Sequence, residues 1–120
     1  MITHRMLAAA AALSALFAAA PVLAHPKLVA SQPAADTEAA APAKIEVQFN
    51  EAVSPKFSKL ELQRMDGSAV PSTPVDLPEG TTLAIAPAAP LAPGMYMVSW
   101  TAVNGTDGHK VQGMFHFSVK

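Results

Sequence analysis

The chain has 120 residues, with 8 Lys+Arg against 9 Asp+Glu for a net charge of −1, and no cysteine. This balance leaves no basic footprint for nucleic acid or an anionic lipid surface. The absence of cysteine excludes disulfides and thiolate ligands, so His, Asp, Glu, Met and a terminal amine remain as groups able to hold a metal.

In chain order, His4 and Arg5 precede an apolar Ala/Leu-rich run from Met6 to Ala20, and Val22-Leu23-Ala24 follows as a small-residue cleavage pattern. This order is that of a secretory signal peptide. A retained membrane anchor needs about 20 consecutive apolar residues, and this run is shorter and is followed by Pro21. Residues 1–24 are therefore expected to be cleaved off. The exported chain, residues 25–120, loses only the charge of Arg5, which leaves 7 cations against 9 acids. It has room for one small domain that buries roughly 60% of its unfolded surface, with stability from packing or from a bound ligand. No membrane insertion of this mature chain is expected, and a monomer is.

Period-two alternation dominates the rest. A first strand is expected over Lys27 to Ser31. The Ala/Pro-rich ASQPAADTEAAAPA, which could pass for a weak helix, is read as a connection. In KIEVQFN, Ile45, Val47 and Phe49 share one face; KLELQ contributes Leu60 and Leu62, and TTLAIA contributes Leu83 and Ile85. MYMVSWTAV aligns Tyr96, Val98, Trp100 and Ala102, and GMFHFSVK aligns Phe115, Phe117 and Val119. Turn signals separate these runs at Asp66-Gly67, Pro78-Glu79-Gly80, Pro93-Gly94 and the loop NGTDGHK from Asn104 to Lys110. Short strands joined by Gly/Pro turns predict an all-β domain, a small Greek-key β-barrel or an Ig-like (cupredoxin-like) antiparallel sandwich.

Cleavage after Ala24 would start the mature chain at His25-Pro26. A terminal histidine offers its α-amine and its ring to one ion, and both kinds of nitrogen release protons near neutral pH in model peptides. Pro26 carries no amide hydrogen for a metal to displace, so further ligands must come from elsewhere in the fold. The bland alternative is that His25 merely happens to follow the cleavage site. Asp107-Gly108-His109 is the second candidate: in extended backbone an i, i+2 pair points to one side, and Gly108 permits a positive φ. Here the alternative is a turn in which Asp107 caps backbone amides and His109 is solvated. Amine, two imidazoles and a carboxylate together suit tetragonal Cu(II). Met95 and Met97 share the strand face opposite Trp100 and no M-x-x-M cluster is present, so Met65, Met95, Met97 and Met114 are read as packing residues, since methionine fills gaps. His116, between Phe115 and Phe117, is placed on the outer face and is not taken as a ligand.

With these residues in view, the mature chain resembles a CopC-type periplasmic copper-binding protein. The likeness runs through HPKLVASQPA, IEVQFNEAVSPKFSKLEL and LAPGMYMVSWTAVNGTDGHKVQGMFHFSVK, and covers nearly the whole domain over 25–120. Its most specific part is Gly-x-Tyr-x-Val-x-Trp, then Asp-Gly-His, then Gly-x-Phe-x-Phe-x-Val. The resemblance implies a periplasmic protein of copper resistance, homeostasis or trafficking that binds one Cu(II) per chain. It places His25, through amine and ring, together with Asp107 and His109 on the metal, and Glu51 of FNEAV close by as a supporting group. It also implies an inner-membrane copper transporter of the CopD type as a possible partner, and no enzymatic activity. Some family members carry a methionine-rich loop that forms a separate Cu(I) site. The corresponding region here, RMDGSAVPSTPVDL, holds only Met65, so a Cu(II)-only protein is expected. Two other classes stand against this reading: a histidine-brace copper oxygenase, which needs an open coordination position and a broad substrate surface, and a metal-free Ig-like interaction module.

Overall fold

The structure, a computed structural model, describes residues 25–120; the signal peptide expected over residues 1–24 lies outside the described residues. The chain forms eight strands: β1 (Leu28–Gln32), β2 (Glu38–Ala39), β3 (Ile45–Phe49), β4 (Lys59–Arg64), β5 (Ser72–Val75), β6 (Thr82–Pro87), β7 (Gly94–Val103) and β8 (Lys110–Val119). They pair into two four-stranded sheets, β1-β3-β6-β5 and β2-β8-β7-β4. Every pairing is antiparallel except β2 with β8, and no helix occurs among the described residues. The domain is therefore the expected all-β sandwich.

Strand parity decides what fills the space between the sheets. Ile45, Val47 and Phe49 enter from β3, Leu60 and Leu62 from β4, alternate residues Tyr96 to Ala102 from β7, and Phe115, Phe117 and Val119 from β8. Each large apolar side chain so buried contributes about 1.5–3 kcal/mol. The Phe49 and Trp100 rings meet edge to face at 5.2 Å, and Tyr96 stacks on Phe117 at 5.7 Å, aromatic geometries that add to simple area burial. The Tyr96 hydroxyl donates to the Ala92 carbonyl at 2.7 Å, which fixes the entry into β7. Gly113 lies opposite Trp100 in the register, and a Cβ at that position would overlap the indole.

Several expectations need correction. Leu83 packs against the core but is only partly buried, while Ala84 and Ile85 are buried; all three line a cleft between β4 and β5. β5 shows no apolar alternation, being short and carrying Pro74. As an edge strand it tolerates a residue that cannot donate to the ladder. The Ala/Pro-rich connection is no helix, and it contains β2, which runs parallel to β8 with Glu38 opposite Ser118. The methionines are not all core: Met95 and Met114 are 52% and 57% exposed, and Met97 is half-buried, since all three have outward parity.

Candidate metal centre

One end of the sandwich joins the start of β1, the segment after β3 and the β7–β8 hairpin loop, residues 104–109. Pro26 is fully buried there, and the next residue is held from both sides. Lys27 donates its amide to Asn50 Oδ1 at 2.8 Å, and the Asn50 amide donates to the Lys27 carbonyl at 3.0 Å. His25 is thus carried on an anchored stalk, with its own side chain exposed.

The hairpin loop is organised by Asn104. Its Oδ1 accepts from the amides of Thr106 and Asp107 at 2.7 and 3.0 Å, an Asx-type turn in which a side chain stands in for backbone. Its own amide donates to the His109 carbonyl at 2.7 Å, and its carbonyl accepts from Gly108 at 3.1 Å. Gly108 has φ 72°, a left-handed conformation that favours glycine. The loop therefore turns where extended backbone was one expectation, and Asp107 and His109 come together through that turn. Asn104 Nδ2 donates to Glu51 Oε1 at 2.7 Å, and the Gly105 amide donates to the Ala52 carbonyl at 3.1 Å. The loop of one sheet is in this way tied to the segment that leaves β3 in the other.

The consequence is that His25 and His109, separated by most of the domain's sequence, face each other with ring centroids 4.4 Å apart and planes tilted by 55°. An imidazole nitrogen sits about 2.0–2.1 Å from a bound metal, which puts each ring centroid about 3.1 Å from the ion; at a right angle the two centroids are about 4.4 Å apart. The ring pair thus fits adjacent corners of a tetragonal ion. Asp107 is placed differently. Its Oδ1 accepts from the His109 amide at 2.8 Å, so this oxygen caps the turn. No group of three or more His, Asp or Glu side chains is gathered in metal-binding geometry among the described residues. Glu51 touches the loop through Asn104.

Asn104 and Asn50 were not singled out from sequence, although both build the site. The Asn-Gly pair at the head of NGTDGHK was the available signal for Asn104, since Asn is the residue whose side chain most readily replaces a turn's backbone acceptor. Asn50 left no such mark, because its partner Lys27 lies 23 residues away.

Fold and site together define a small β-sandwich with a paired-histidine end. Comparison with known proteins makes the class specific: the CopC domain family model matches residues 28–120, and the chain belongs to that family. Copper resistance protein C of Pseudomonas syringae pv. tomato is 43% identical over 104 residues, 81% of this chain and 82% of that protein. Among solved structures, PcoC of Escherichia coli, described as a methionine-rich copper resistance protein, matches with a TM-score of 0.73 and 35% identity, covering 81% of this chain and all of that one. CopC from Methylosinus trichosporium OB3b matches with the same TM-score at 28% identity, over 80% of this chain and 94% of that one.

Proposed function

We propose that this protein is a periplasmic Cu(II) carrier in copper resistance or trafficking, exported behind a signal peptide over residues 1–24 and active as a monomer. One ion is held by the α-amine and imidazole of His25, the imidazole of His109 and the carboxylate of Asp107. The observation that carries the reading is the approach of the His25 and His109 rings to 4.4 Å at an end where Pro26 and Lys27 are locked into the fold.

Asp107 keeps Oδ1 on the His109 amide and offers Oδ2 to the ion, so one carboxylate both shapes the turn and closes the coordination. Glu51 acts through Asn104 and holds the loop at the distance His25 requires. With the fourth position taken by a protein carboxylate, the centre stores and passes on copper and does not activate oxygen. Exposure of both rings gives a partner, such as a CopD-type membrane transporter, direct access to the ion.

The amine exists only once the bond before His25 is cut. The test is a competitive Cu(II) titration, read by electron paramagnetic resonance, on a form that begins at His25 and on one with a single alanine added before it. Weaker binding and an altered spectrum in the extended form are expected. Identical behaviour of the two forms would remove the amine from the site and sink this reading.

A further inference from the structure

A second group of metal-ligating side chains lies away from the paired histidines. In the β7–β8 register, Met97 stands directly opposite His116, Ser99 opposite Met114, and Met95 opposite Ser118. The inward residues Tyr96, Val98, Phe115 and Phe117 are buried, so these partners all lie on the outer face of the hairpin. Two thioethers there are more than half exposed, while Met97 and His116 are half-buried. Three exposed or half-exposed methionines around one imidazole gain little from hydrophobic burial, and the packing role expected of them is not what the fold gives them.

We propose that this face is a second metal site, for Cu(I), held by Met97, Met114 and His116, with Met95 able to replace Met114. Opposite Cβ atoms on a sheet face are about 5 Å apart, and residues two apart on a strand about 6.8 Å. The centre of such a rectangle lies about 4 Å from each corner. Flexible thioether arms and an imidazole span that distance. Met97, His116 and Met114 occupy three corners of one rectangle with Ser99 at the fourth; Met95, Met97 and His116 occupy three corners of the next, with Ser118 at its fourth. Two sulfurs and one nitrogen form a soft set that prefers a monovalent copper ion to Cu(II) or zinc.

The surroundings favour a cation. Glu38 stands opposite Ser118 on β2, and Gln63 and Glu61 stand opposite Met97 and Ser99 on β4; Glu61 is paired with Lys59 at 2.9 Å, so Glu38 is the acid whose charge is left to favour a cation. Lys110 pairs with Val103 toward the other end of the hairpin, and the Lys59 ammonium is held on Glu61. His116 is six residues along β8 from Lys110, roughly 20 Å at strand rise, so the two sites share no ligand. This inference revises the Cu(II)-only expectation and stands independently of the His25 centre.

The test uses the chain that begins at His25. Ag(I), a redox-inert stand-in, should shift the methyl resonances of Met97, Met114 and Met95 and the ring of His116 while leaving Met65, His25 and His109 in place. In anaerobic competition against a chromogenic Cu(I) chelator, the parent should take up one Cu(I) at this face, and Met97→Leu/Met114→Leu, which keeps side-chain volume, should weaken it at least tenfold. The same pair should leave the Cu(II) spectrum unchanged, and the alanine-extended form should keep its full Cu(I) affinity. Parent-like Cu(I) binding by the leucine pair, loss of Cu(I) binding on extension, or Ag(I) shifts centred on His25 and His109 would each overturn the proposal, whatever the outcome for Cu(II).

Discussion

Replacing Asn104 by aspartate isolates the tie between the two sheets at the paired-histidine end. The variant keeps an oxygen for the Thr106 and Asp107 amides but removes the donor that reaches Glu51 at 2.7 Å. Loss of a hydrogen bond to a charged group costs about 1.5–3 kcal/mol, and two carboxylates about 4 Å apart repel by about 1 kcal/mol in water and about 4 kcal/mol near a protein surface. Both residues are half-buried, so Asn104→Asp should destabilise the metal-free domain by about 2.5 kcal/mol or more. Glu51→Gln reverses the polarity of the pair: in the double variant the new amide donates to the new carboxylate, and at least half the loss should return. Urea unfolding of the four proteins at neutral pH closes the cycle. Additivity within about 0.3–0.5 kcal/mol would show that the contact carries no energy, and the account of how His109 is positioned would fall with it.

Copper should raise the melting temperature. At free Cu(II) 100-fold above Kd, linkage adds about 2.7 kcal/mol, of the order of 10–20 °C for a domain this small, measurable by calorimetry. Protons compete for the nitrogens of the site, so visible absorption of the Cu(II) form should fade as pH drops through the mildly acidic range; copper retained at pH 4 would contradict the ligand set. Gly113→Ala should cost about 1–3 kcal/mol through overpacking against Trp100, seen as a lower urea midpoint with altered tryptophan fluorescence. At the Asp66-Gly67 turn, the Ser68 hydroxyl and amide both donate to Asp66 Oδ1 and hold its carboxyl below the ordinary 3.8. Because the folded value is lowered, that contribution is present above the unfolded pKa and lost as pH falls through the folded one. Ser68→Ala should raise the Asp66 titration point in carbon-detected NMR.

Parity alone located the core strands, because a one-residue slip in β3, β7 or β8 would expose Phe49, Trp100 or Phe117. It failed where burial was not at stake. β5 presents a polar, proline-bearing edge, and β2 is two residues held by the neighbouring β8. The methionines show the opposite error. Met95 and Met97 alternate with Tyr96 and Val98, so the parity that buried the aromatic residue already turned the thioethers outward, yet general preference assigned them to packing. At the paired-histidine end, His25 and His109 were readable as candidates but not as neighbours, since their approach depends on side chains bonding to distant backbone: Asn50 to Lys27, and Asn104 to the turn it caps.

The burial of Pro26 has a consequence for the order of events during biogenesis. Signal cleavage requires an extended, accessible segment on both sides of the cut bond, and exposed, unpacked chain is where proteases act. In the folded domain Pro26, the second residue beyond that bond, is buried at the end of the sandwich and the third is hydrogen-bonded to Asn50. On the proposed cleavage before His25, the leader has to be removed before this end of the sandwich closes. On that reading, folding converts a freshly cut, freely moving terminus into a fixed ligand for the proposed ion, and a precursor that folds too early would be shut out of both processing and loading.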